Sequence, residues 1–237
     1  KNGVTASYLY DESGLRTKKT VGGVVTNYHV INGVLYGEYT GSHRLLYMFD
    51  EAGTRYSFLY NGSTYYYVFN GQGDVIGITD GYGNMLARYT YDAWGKPLTI
   101  TDGAGNDVSG NAGHIANVNP FRYRGYYYDA ESGLYYLQSR YYDPVVGRFI
   151  NADGVLGGNG DMLSFNLFGY CSNNPVNCTD PTGMFADAVS QAPSAQDAGI
   201  VWDIGSAILQ WLASGTATTA ASTAGIVALV IAMPVFL

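Results

Sequence analysis

The ten residues Leu86-Ala87-Arg88-Tyr89-Thr90-Tyr91-Asp92-Ala93-Trp94-Gly95 contain a strand and the signal that ends it. Leu86–Tyr91 is rich in residues that favour strands and roughly alternates in polarity. Asp92 then opens a turn by bonding its side chain to the backbone, and Gly95 supplies the positive φ that closes it. The same aromatic-Asp/Asn-Gly signal recurs at Tyr10-Asp11 with Gly14, Phe49-Asp50 with Gly53, and Phe69-Asn70 with Gly71 and Gly73. It returns at Tyr128-Asp129 with Gly133 and Tyr142-Asp143 with Gly147. Short runs such as Ser57–Tyr60, Tyr65–Phe69, Asp74–Ile78 and Leu134–Ser139 flank these signals. The pattern predicts an all-β chain of hairpins in which Tyr packs across strands. Regular recurrence favours a spiralling repeat sheet over a generic sandwich.

Composition agrees with this reading. The chain has 237 residues, with 23 Tyr, 32 Gly and only 13% charged side chains. Hydrophobic residues at 47% argue against disorder, and the Gly follow no collagen period. A net charge of −7 argues against a broad nucleic-acid surface. Two Cys are too few for a disulfide scaffold, and no spacing suggests a metal or cofactor site. All 12 Lys and Arg lie at or before Arg148, and no side chain after Asp203 is charged. The chain therefore divides into a Tyr/Gly-rich body (1–184) and an apolar, Ala-rich tail (185–237). The turn signal Asp180-Pro181-Thr182-Gly183 marks the boundary. The start at Lys1, without Met or signal peptide, suggests a piece of a longer protein.

Asn119-Pro-Phe-Arg-Tyr-Arg-Gly-Tyr-Tyr-Tyr-Asp-Ala-Glu-Ser-Gly-Leu-Tyr-Tyr-Leu-Gln-Ser-Arg-Tyr-Tyr-Asp-Pro-Val-Val-Gly-Arg-Phe-Ile-Asn-Ala-Asp153 resembles the Rhs repeat-associated core, as does Asn166–Gly183. Residues 1–118 resemble the YD repeats that precede it. The resemblance implies three parts: repeats (1–118), core (119–184) and a variable C-terminal tail (185–237). It implies a secreted or cell-surface parent used in bacterial competition, whose sheet winds into a hollow shell around a toxin-like tail. Its partners would be the rest of that shell and a cognate immunity protein.

Chemistry has few candidates. His29, His43 and His114 lack partner spacing and read as ordinary surface or strand residues. Asp143, Asp153, Asp161 and Asp180 are carboxylates near the body's end. Two of them brought together would share acid and base roles on a peptide bond, with an Arg holding one ionised. The residues alone leave the pair open, and Asp143 reads first as a turn residue. The resemblance selects a pair. Self-cleaving relatives carry Pro-x-x-x-x-Asp-Pro-x-Gly-Leu and cut after its last residue. This chain has Pro175-Val-Asn-Cys-Thr-Asp180-Pro181-Thr-Gly183-Met184, with Met184 replacing Leu. The resemblance thus implies an Asp153–Asp180 dyad supported by Arg140, and a scissile Met184–Phe185 bond. Gly154 stands where many cleaving relatives carry Pro, and loop 157–164 is longer than usual.

Cys171 and Cys178 allow a disulfide but read first as small apolar residues. In the tail, Gly199–Ala213 has a helical apolar stripe, and Thr216–Leu237 carries no charge. A membrane-active helical hairpin, a translocation or pre-toxin segment, and an inert remnant all fit it. The alternatives for the whole chain are a non-cleaving adhesion module stacking Tyr on sugars, and a structural spacer of a wall-associated protein.

Overall fold

The computed structural model describes residues 5–154 and 166–188. Asp161, the 157–164 loop and nearly all of the apolar tail, with its expected helices, lie outside them. The chain divides into two units, residues 1–50 with 54–194 and residues 51–53 with 195–237; the elements below belong to the first.

Ten strands form one antiparallel sheet in which order in space equals order in sequence. They are β1 (Ala6–Tyr10), β2 (Arg16–Val21), β3 (Val24–Ile31), β4 (Val34–Thr40), β5 (His43–Phe49), β6 (Arg55–Tyr60), β7 (Ser63–Phe69), β8 (Val75–Thr79), β9 (Met85–Tyr91) and β10 (Pro97–Asp102). Every connection is local, because each turn is encoded by the residues that make it.

Two kinds of turn alternate irregularly along the sheet. In the longer kind, one side-chain oxygen accepts the N–H groups two and four residues on, each at 2.9 Å. This holds for Asp11, Asn70, Asp80, Asp92 and Asp102. The Gly three residues after each lies at φ between +80° and +93°. A register shift beside the turn absorbs the extra residue. The shorter kind is a two-residue hairpin at Gly22-Gly23, Asn32-Gly33, Gly41-Ser42 and Asn61-Gly62.

A helical turn, α1 (Ile115–Val118), leads to a second antiparallel sheet. Its strands are β11 (Tyr127–Asp129), β12 (Leu134–Leu137), β13 (Arg140–Asp143) and β14 (Arg148–Phe149). The run Leu134–Ser139 is not one strand to its end. Gln138 turns left-handed at φ +60°, and the Ser139 N–H returns to the Leu137 carbonyl at 2.7 Å. Last comes a two-stranded ribbon, β15 (Cys178–Thr179) with β16 (Asp187–Ala188).

One face of the large sheet offers Tyr28, Tyr47, Phe58, Tyr67, Ile78 and Tyr89, on which Ala116, Phe121 and Tyr127 pack. A second cluster around Tyr135, Tyr142 and Tyr170 fills the smaller sheet. Some aromatic pairs meet edge-on, as Tyr47–Phe121 does at 4.9 Å, and others stack, as Phe58–Tyr65 and Tyr135–Tyr142 do.

The six aromatic-Asp/Asn units of the sequence are not equivalent. Asp143 is a turn residue, accepting the Val145 N–H at 2.8 Å. Asp129 also opens its turn, its carbonyl accepting the Gly133 N–H at 2.7 Å, but its side chain does not cap that turn: it is fully buried and directed toward the first hairpin. There it pairs with Arg16 at 2.6 Å and Lys19 at 2.9 Å. The Arg16 guanidinium carbon lies 4.3–5.2 Å from the ring centroids of Tyr8, Tyr28, Tyr127 and Tyr136. The pair ties the start of the large sheet to the start of the small one.

Candidate processing site

β13 begins at Arg140, whose side chain is almost wholly buried against Phe149, with the guanidinium carbon 3.7 Å from the ring centroid. That packing fixes the planar fork, which then spends its donors on two carboxylates and on the carbonyls of Gly183 and, at 3.4 Å, Leu167. Nη1 meets Asp153 at 2.9 Å, Nη2 meets Asp180 at 3.1 Å, and Nε donates to the Gly183 carbonyl. The two carboxylates, 27 residues apart in sequence, thus share one guanidinium.

Their surroundings differ. Asp180 is 2% exposed, whereas the Asp153 side chain is 20% exposed. Burial is the largest influence on Asp180 and pushes its carboxyl up to about 6, against the opposing pull of Arg140 and of the N–H groups of Gly183, Met184 and Phe185. The Met184 N–H donates to Asp180 Oδ1 at 3.0 Å. The chain after Asp180 therefore folds back over its own carboxyl.

Gly183 makes this reversal possible. It adopts φ +73°, and a Cβ there would lie 2.6 Å from the Leu137 carbonyl oxygen. Ser139 also grips the same segment, its hydroxyl donating to the Thr182 carbonyl at 2.8 Å. Met184 and Phe185 emerge at the surface, 46% and 62% exposed.

Behind Asp180 stands a group of hydroxyls that sequence reasoning did not single out. The Asp180 N–H donates to the Tyr126 hydroxyl at 2.8 Å. Tyr126 also bonds Thr179 at 2.8 Å and Tyr170 at 3.0 Å. Nothing local in the sequence distinguishes Tyr126 from its Tyr neighbours. Pro175 lies farther off, its carbonyl accepting from Arg124 at 2.6 Å. Both Cys are free thiols, Cys171 buried and Cys178 half-buried. His114 caps α1, accepting the Ala116 N–H at 3.2 Å. Among the described residues no three His, Cys, Asp or Glu side chains stand together as a metal set.

Comparison with known proteins agrees with the hairpin architecture. A family profile described as RHS Repeat matches residues 69–107. The tRNA3(Ser)-specific nuclease WapA of Bacillus spizizenii is 41% identical over 183 residues, which is 75% of this chain and 7% of that protein. The toxin protein Tse5 of Pseudomonas aeruginosa is 40% identical over 72 residues, 30% of this chain and 5% of that one. The crystal structure of TcdB2-TccC3-Cdc42 superposes with a TM-score of 0.58 over 76% of this chain and 9% of its own, at 22% identity, a likeness of fold. The chain is an Rhs/YD-repeat protein. It spans about 7% of the length of the WapA relatives it matches.

Proposed function

We propose that this chain is the closing part of a secreted Rhs shell that encloses the segment starting at Phe185 and releases it by cutting the Met184–Phe185 bond. In this reading residues 1–118 are shell repeats, 119–184 the core and 185–237 the enclosed tail. The observation that carries the cut is the shared guanidinium. Arg140 holds Asp153 and Asp180 together, while the Asp180 carboxyl receives the N–H groups around the bond to be broken.

Environment divides the roles. Asp180, buried and raised to about 6, keeps its proton nearer to neutrality than an ordinary carboxyl. It sits beside the Phe185 nitrogen, the leaving amine, and gives that proton to it. Asp153, more exposed and held by Arg140, takes a proton from water as the water oxygen attacks the Met184 carbonyl carbon. The C–N bond breaks, leaving a Met184 carboxyl group and a Phe185 amine. The rest of the parent's shell is the partner that surrounds this site, and a cognate immunity protein meets the released tail.

The shell reading is favoured over adhesion by where the rings lie. Tyr47, Tyr67, Tyr89, Tyr127, Tyr135, Tyr142 and Tyr170 are buried between elements rather than arrayed on a surface. Intact mass measurement on the wild-type chain and on Asp180→Asn and Asp153→Asn tests the proposal. The wild type is expected to yield two pieces that meet at Met184/Phe185, and both variants to remain whole. A wild-type chain that remains whole would overturn self-cleavage.

A further inference from the structure

The segment 175–180, which leads into Asp180, rests on the turn Tyr123–Tyr126. Arg124 is 9% exposed and sits in the left-handed region at φ +53°. Such a backbone is costly for a bulky residue and persists where its surroundings hold it. Here Asp74 does so: its Oδ1 accepts the Arg124 N–H at 2.9 Å and lies 3.8 Å from Nε. Asp74 is in turn fixed by Asn70, whose Nδ2 donates to its Oδ2 at 2.6 Å. The Asn70–Asp74 turn of the large sheet therefore sets the pose of Arg124.

In that pose Arg124 spends its terminal nitrogens on carbonyls. Nη1 donates to Gln72 at 2.9 Å, and Nη2 to Pro175 at 2.6 Å and Val176 at 3.4 Å. Gln72 adds its own Nε2, donating to the Val176 carbonyl at 2.9 Å. Two residues on, Tyr126 receives the Asp180 N–H. One turn thus grips the segment 175–180 at both ends, on carbonyls at its start and on a backbone N–H at its finish. Neither Arg124 nor Gln72 is within bonding distance of the carboxyls of Asp153 or Asp180.

We infer that Arg124, seated by Asp74 and assisted by Gln72, is a positioning residue for the cut proposed above: it fixes the 175–180 segment so that Asp180 meets Arg140 and Asp153. The inference rests on the cleavage reading. It makes the reaction depend on a finished repeat hairpin, since β7, β8 and their turn supply the seat. Orientation of this kind has kinetic weight, because small misplacements of reacting groups cost large factors in rate.

The test follows cleavage in time after cell-free synthesis of the full parent chain, read by intact mass across a range of pH. Arg124→Met is expected to slow the cut by about tenfold, and Gln72→Ala, an exposed side chain with one carbonyl contact, by about threefold. Arg124→Lys, which retains a cationic donor, recovers part of the rate. The pH at which the rate bends stays where Asp180 sets it, because Arg124 touches neither carboxyl. A residue that merely held the fold together would, when lost, admit water to Asp180 and move that bend down toward the ordinary carboxylate range.

Wild-type rates in both Gln72→Ala and folded Arg124→Met would overturn the inference, as would a bend displaced in Arg124→Met. If Arg124→Met does not fold, the Gln72→Ala rate decides alone. A wild-type parent that is never cut removes the cleavage reading and this inference with it, and that result is visible before any variant is made.

Discussion

Removing Asp129 should loosen a hairpin more than a hundred residues away. Asp129 is fully buried and pairs with both Arg16 and Lys19. Asp129→Asn keeps the volume and removes the charge, leaving the buried Arg16 guanidinium without a carboxylate while Lys19 keeps Glu131 at 3.0 Å. Nε and Nη2 of Arg16 already have no hydrogen-bond acceptor. Breaking a buried pair by deleting one partner costs about 3–5 kcal/mol, and stranding an almost fully buried guanidinium puts this case at the upper end, about 5 kcal/mol. Arg16→Met is milder. It leaves Asp129 with Lys19, so about 3 kcal/mol is expected, together with the lost ring contacts of the guanidinium. Hydrogen exchange followed by mass spectrometry reads the effect locally. Each 1.4 kcal/mol is about a factor of ten, so β1 and β2 amides should exchange on the order of a hundredfold faster in Arg16→Met and over a thousandfold faster in Asp129→Asn. The β6 and β7 amides serve as the internal reference. A side chain that only capped the turn, as the sequence suggests for Asp129, would instead affect only residues 129–133. Unchanged exchange in β1 and β2, or a larger effect from Arg16→Met than from Asp129→Asn, would refute the account.

Two further outcomes are expected. Asp180, raised to about 6 in the folded chain against about 3.9 unfolded, binds its proton more tightly when folded. Its burial cost is therefore fully present above pH 6 and is relieved as pH falls from 6 to 4, by about 3 kcal/mol. Urea unfolding in an Asp153→Asn background, with and without Asp180→Asn, should show that gap, and parallel pH profiles would contradict it. Gly183→Ala forces a Cβ to 2.6 Å from the Leu137 carbonyl at a left-handed position, a combined cost of about 2–4 kcal/mol. It should slow the cut in the same mass assay without lowering the protection of β3–β7, and wild-type cleavage by this variant would disprove the requirement for glycine there.

The sequence was most informative where structure is local. Asp11, Asn70 and Asp92 form the turns their letters announce, because the side chain bonds only to residues two and four ahead. Asp80 and Asp102 make the same turn but escaped notice, since neither follows an aromatic residue. Asn32-Gly33 and Asn61-Gly62 carry the local signal of a two-residue hairpin and form one. Asp129 makes the turn its letters announce through its carbonyl, but its side-chain partners lie 113 and 110 residues upstream, beyond any local signal. The convergence of Arg140, Asp153 and Asp180 depends on the small sheet, and only resemblance suggested it. Arg124 and Tyr126 left no local signature, because what singles them out is the segment they hold.

The in-order sheet also sets a schedule. A ribosome releases β1 to β10 first, and each strand can pair with the one just made. The second sheet follows and finds Arg16 and Lys19 already in place for Asp129. Asp180 comes after both sheets, and its neighbours Tyr126, Arg140 and Asp153 all precede it in the chain. The Asp180 carboxyl therefore meets Arg140 only after both sheets have been laid down, and its contact with the Met184 N–H forms later still, once the chain has passed that residue.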